Sequence, residues 1–117
     1  MPIARLLLIA LLSLTAASRA LAQDSADLER GHLLLATHCS RCHAIDRTGT
    51  SPHREAPPFR ILGQKYPVDF LAEALGEGLS TGHPDMPEFV FEPQEIRAIL
   101  TYLQSIQVPK AAPLQRR

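Results

Sequence analysis

Both cysteines of this 117-residue chain fall within one run of five residues, Cys39-Ser40-Arg41-Cys42-His43. In a chain with two Cys and five His, chance supplies a C-x-x-C-H pattern only on the order of one time in a thousand. Two thiols three residues apart on a helical turn project to the same side, and the next residue brings an imidazole beside them. Such a cluster limits what the surrounding chain can fold around. A thiol–disulfide redox pair would call for a βαβ context. A structural zinc would need four ligands, usually as two spaced pairs, and the sequence has no second pair. A plain disulfide would leave the adjacent histidine a coincidence. The spacing suits two thioether bonds to the vinyl groups of one haem, with His43 as an axial iron ligand.

Composition supports the need for such a group. The chain is 45% hydrophobic and 21% charged with a formal net charge of +0, which fits one small globular domain. A neutral chain lacks the basic surface of a general nucleic-acid binder. Four Phe, two Tyr and no Trp are a thin supply for a core of this size, and chains this small often lean on a metal, cofactor or crosslink.

The first residues read as a targeting signal. Arg5 gives a short positive start, Leu6 to Ala17 is apolar apart from Ser13 and Thr15, and Ala20-Leu21-Ala22 sets small residues where a signal peptidase reads them. The apolar run falls short of the roughly 20 residues that span a bilayer, so cleavage before Gln23 and export to the periplasm are expected. The expected organisation is a signal peptide over 1–22, one domain over 23–108 and a loose tail over 109–117, with no membrane span once the signal is removed.

Periodicity predicts an all-α domain. Asp24 or Ser25 can cap a first helix with Leu28, Gly31, Leu34 and Leu35 on one side, running into Cys39. Asp46 to Pro58 reads as loop. Pro67 fits the first turn of a second helix, with Val68, Leu71, Ala72 and Leu75 as its stripe and Gly76 or Gly78 as its end. Residues 78–91 read as loop. Pro93 opens a third helix with Ile96, Ile99, Leu100 and Leu103 on one face, and Pro109 and Pro113 stop it from running on.

Past the signal segment the one remaining methionine is Met86, in Thr81-Gly82-His83-Pro84-Asp85-Met86-Pro87-Glu88-Phe89. A helical methionine would be core packing. One braced by prolines in a loop can hold a thioether on the sixth position of a haem iron at little ordering cost. His83 is the competing ligand. His32, His38 and His53, as lone histidines, carry no expected ligand role.

Together these features resemble a class I cytochrome c, of the small single-haem bacterial kind, over about Leu28 to Ile106. The resemblance implies three main helices and loops wrapped around one covalently bound haem c. It matches Gly31 and Tyr102 to the positions where the terminal helices cross, with Leu35 where the family often has an aromatic. It implies that Pro57, or else Pro58, gives a carbonyl to the second N–H of His43, that Phe59 lies against the haem edge, and that Lys65 and Tyr66 can reach haem propionates. The haem-binding set it implies is Cys39, Cys42, His43, Pro57, Phe59 and Met86, with iron held by His43 and Met86. The expected function is a soluble, monomeric one-electron carrier serving periplasmic redox proteins, with no catalytic site of its own. The alternatives are a cytochrome subunit of a larger periplasmic oxidoreductase, or a haem-based ligand sensor with a weak or absent Met86 bond.

Overall fold

The computed structural model describes residues 2–78 and 85–110, with side chains described at 19–20 and from 22 onward. His83, Gly82 and Pro113 lie outside the described residues. Helix α1 spans Pro2–His38, α2 spans Leu71–Glu77 and α3 spans Pro93–Ile106. Two short 3-10 segments, Phe59–Gln64 and Val68–Phe70, lie between α1 and α2, and the described residues contain no strand. The all-α reading is what the structure shows.

The start of α1 differs from expectation. Neither Asp24 nor Ser25 caps it, because the helix runs unbroken through both. No glycine or proline interrupts residues 3–30, and this stretch is rich in the strong helix formers Ala and Leu. Ser25 turns its hydroxyl back onto the Ala22 carbonyl at 2.9 Å, a bond that a serine inside a helix can make. No helix among the described residues is long and apolar enough to cross a membrane.

The core forms where α1 and α3 cross. Leu35 from α1 and Ile99, Leu103 and Ile106 from α3 are buried together with Ile45, Phe59, Leu62, Val68 and Phe91. Gly31 makes the crossing possible. A Cβ at that position would fall onto the carbonyl oxygen of Ala98 and lie 2.8 Å from the Tyr102 Cβ. Ala98 is fully buried. Near the same crossing Asp27, 6% exposed, accepts a hydrogen bond from Arg97 Nε at 2.9 Å. The Arg97 guanidinium holds the Asp27 carboxyl below its usual range. Nothing in the hydropathy pattern marks this pair, because Asp27 reads as an ordinary polar residue beside an apolar stripe.

The other helix ends follow local rules. Pro67 precedes the 3-10 turn Val68–Phe70, and its carbonyl accepts the Phe70 N–H at 3.1 Å. α2 itself begins only at Leu71, so Pro67 is not in its first turn and Val68 of the expected stripe belongs to the 3-10 turn. Of the two candidate glycines, Gly78 ends α2, with φ +102, a left-handed conformation that suits a residue without Cβ. Gly76 stays within the helix. Pro93 occupies the first turn of α3, and Glu95 reaches back to accept the Glu92 N–H at 3.1 Å, satisfying a donor that a helix start otherwise leaves unpaired. α3 ends at Ile106, short of Pro109.

Gly31→Ala should therefore lower stability by about 3 kcal/mol, the upper range for overpacking a filled contact. Thermal unfolding of the purified protein measures it, and an unchanged midpoint would mean the helices separate at little cost.

Candidate haem-binding site

The C-terminal end of α1 delivers the cysteine motif. Cys39 N–H still donates to the Leu35 carbonyl at 2.8 Å, so the helical path reaches the first thiol. The chain then tightens: the N–H groups of Cys42 and His43 both donate to the Cys39 carbonyl, at 3.1 and 2.9 Å. These bonds fold the five residues into one compact turn. Both thiols are half-buried and unpaired with each other. Burial, and then the neighbouring Cys42, pushes the Cys39 thiol up to about 11, so it is protonated at neutral pH.

His43 is held from two directions. Its Nδ1 lies 2.8 Å from the carbonyl oxygen of Pro57. A carbonyl only accepts, so Nδ1 carries the proton and the neutral ring keeps its lone pair on Nε2. The acceptor is Pro57, not Pro58. The Phe59 ring lies against the imidazole with centroids 4.5 Å apart and planes tilted by 30°. The loop between is closed by its own bonds. Ala44 N–H donates to Ser51 Oγ at 3.0 Å, His53 N–H to the Cys42 carbonyl at 3.1 Å, and Phe59 N–H to the Ala44 carbonyl at 2.9 Å. Nothing in the sequence marks Ser51, because one hydroxyl in a polar loop gives no signal.

Met86 is half-buried in the loop between α2 and α3. Contacts on both sides bring that loop to the motif. Before it, Asp85 pairs with His53 at 3.5 Å. After it, Phe89 stacks on Phe91 at 6.0 Å, and the edge of His38 meets both rings at 5.5 and 5.4 Å. The base of the loop is closed where Phe91 N–H donates to the Leu75 carbonyl at 2.9 Å and where Gly78 lies against Glu88. His38 and His53 thus serve as packing and pairing partners. His32 does likewise: its Nε2 lies 3.1 Å from Asp46 Oδ1, which also accepts the Tyr102 hydroxyl at 3.1 Å. Burial, and then the bond to Asp46, pushes the Tyr102 phenol up to about 12. Lys65 and Tyr66 are exposed.

A family model described as Cytochrome c matches residues 28–107. The chain belongs to the cytochrome c family. No curated protein and no solved structure matches it. Covalent haem c with its iron is the cofactor of this family, and this cytochrome is a haem-based electron carrier. The residues present fit the group. A neutral imidazole with Nε2 available, two unpaired thiols one turn away and a methionine on an adjoining loop form a donor set of the right chemistry. Arg60, next to Phe59, keeps Nη1 buried without a hydrogen-bond partner, a donor that an anionic cofactor group can satisfy. Among the described residues no three His, Cys, Asp or Glu side chains converge as a metal cage.

Proposed function

We propose that this cytochrome is a periplasmic one-electron carrier with His/Met axial ligation. The observation that carries the reading is the His43–Pro57 hydrogen bond, which leaves Nε2 as the ligating nitrogen beside two unpaired thiols. Cys39 and Cys42 would hold haem by two thioether bonds, His43 through Nε2 and Met86 through its sulfur. When bound, haem supplies an iron that cycles between ferrous and ferric states. The Pro57 carbonyl orients the imidazole and raises its basicity. The Phe59 ring and the adjoining core exclude water from the His43 side. A soft thioether from Met86 favours ferrous iron and raises the potential. With His43 and Met86 both holding the iron, no position on it would be left open to a substrate, which supports electron transfer without a catalytic activity of its own. The donor and acceptor are periplasmic redox proteins, met by a monomeric chain.

Export accounts for the N-terminal segment. Cleavage after Ala22 would leave Gln23, Asp24 and Ser25 in the first turn of a shortened α1, where Asp24 or Ser25 can satisfy freed N–H groups. The domain then covers 23–108. Mass spectrometry of the exported protein should find Gln23 as the first residue; a retained segment in the membrane fraction would make the protein anchored instead.

Haem should stay with the chain through acid–acetone extraction and denaturing electrophoresis. Cys39→Ala or Cys42→Ala should leave a single thioether and an unstable product. Intact release of haem from the wild type would refute covalent attachment.

Absorption spectra of the oxidised protein test the sixth ligand. A weak sulfur-to-iron band near the red end of the visible range is expected, and Met86→Ala should abolish it, admit carbon monoxide readily and lower the potential. A wild type without that band, in which His83→Ala and not Met86→Ala admits carbon monoxide, would move the ligand to His83. Ready carbon monoxide binding by the wild type would point to a ligand sensor.

A further inference from the structure

At the C-terminal end of α3, Gln107 uses every part of its carboxamide that can reach a neighbour. Its Nε2 donates to the carbonyls of Phe59 at 2.9 Å and Leu103 at 2.7 Å. Its Oε1 accepts the Gly63 N–H at 2.7 Å. One half-buried side chain thus grips both ends of the 3-10 helix Phe59–Gln64 from a position more than forty residues away in sequence. Ordering a long polar side chain costs about 2 kcal/mol of rotamer freedom, and three short hydrogen bonds offset it.

The segment it grips is the one that holds His43. Phe59 lies against the imidazole and donates its N–H to the Ala44 carbonyl, directly after His43. Only Pro58 separates Phe59 from the Pro57 carbonyl that accepts the His43 proton. Pro58 sits at φ −60 and ψ 136, and its ring locks φ. Two consecutive prolines therefore make a stiff arm. With the Phe59 carbonyl held by Gln107 and its N–H by Ala44, few free torsions remain between Phe59 and the Pro57 oxygen. Neighbouring bonds, Val108 N–H to the Arg60 carbonyl at 2.8 Å and Gln64 Nε2 to the Val108 carbonyl at 3.3 Å, join the same two elements without touching the Phe59 peptide.

We propose that Gln107 is a positioning residue for the axial histidine: by pinning the Phe59 peptide it fixes the Pro57 carbonyl, and so sets the strength of the His43 hydrogen bond and the potential of the iron. The proposal rests on His43 being the ligand. A tight bond at Nδ1 makes the imidazole a stronger donor and stabilises ferric iron. Releasing the carbonyl should weaken that bond and move the potential upward.

The test uses the intact haem protein and the variants Gln107→Leu, Gln107→Glu and Gln64→Leu. Proton NMR of the reduced form follows exchange of the His43 Nδ1 proton with solvent, and voltammetry gives the potential. Gln107→Leu should speed that exchange about tenfold, a loss of about 1.4 kcal/mol, and raise the potential. Gln107→Glu keeps the acceptor for Gly63 but loses the donor to Phe59, and should shift both readouts the same way. It decides the matter if Gln107→Leu does not accumulate folded. Gln64→Leu loosens the same junction and should leave both readouts at their wild-type values. Wild-type exchange and potential in a folded Gln107 variant would overturn the proposal, as would an equal shift in Gln64→Leu. Absence of covalent haem in the wild type would instead refute the carrier assignment, so the two failures are read separately.

Discussion

Because Gly31 has no side chain, the backbone of α1 can rest on the Ala98 carbonyl of α3, and that contact sets where the rest of α1 points. Cys39 lies eight residues further along the chain, about 12 Å at 1.5 Å per residue. A helix is stiff over that distance, so fixing it at Gly31 also fixes where the thiols emerge. Leu35, one turn beyond Gly31, seals the helix pair against Ile99 and Leu103 in one cluster. The Asp27–Arg97 bond, one turn before Gly31, adds a polar pair at the same crossing. Three successive turns of α1 thus bind α3 before the motif is reached.

The second constraint is the Phe59 peptide. Its N–H reaches Ala44, its carbonyl reaches Gln107, and its ring covers His43. The residue therefore joins the chain after the motif, the far end of α3 and the imidazole. With α3 already fixed on α1, these contacts close a circuit: Gly31 positions α3, the end of α3 positions Phe59, and Phe59 positions the partner of the histidine that α1 delivers. Loosening any one contact would be felt at the ring.

Much of this was legible in the sequence, and the residues show why. Cys39, Cys42 and His43 are chemically distinctive at close spacing, so their meaning is local. The stripe of α3 repeats at helical period, and Gly78 and Pro93 mark ends through backbone restrictions that hold in any protein. What stayed hidden depends on distance in sequence. Asp27, Arg97 and Gln107 are polar residues that look solvated until the chain brings Asp27 to Arg97 and Gln107 to the Phe59 carbonyl. The start of α1 failed for a different reason. Asp24 and Ser25 are good caps, but a cap signal ends nothing when strong helix formers lie on both sides.

The two sides of the site are built from different kinds of interaction, and this bears on how they should behave. On the His43 side the hydrogen bond to the Pro57 carbonyl is short and half-buried, and the Phe59 ring lies against the imidazole. On the Met86 side the loop is fixed at its base by Phe91 and against α1 by the His38–Phe89–Phe91 rings. The pair next to Met86 in sequence, Asp85 with His53, is largely exposed, with 76% of the Asp85 side chain open to solvent. Exposed ion pairs contribute about 1 kcal/mol at most and weaken in salt. His43 is thus held by a short hydrogen bond and a ring contact, and the segment that carries Met86 by aromatic rings and an exposed pair, so added salt acts first on the Met86 side.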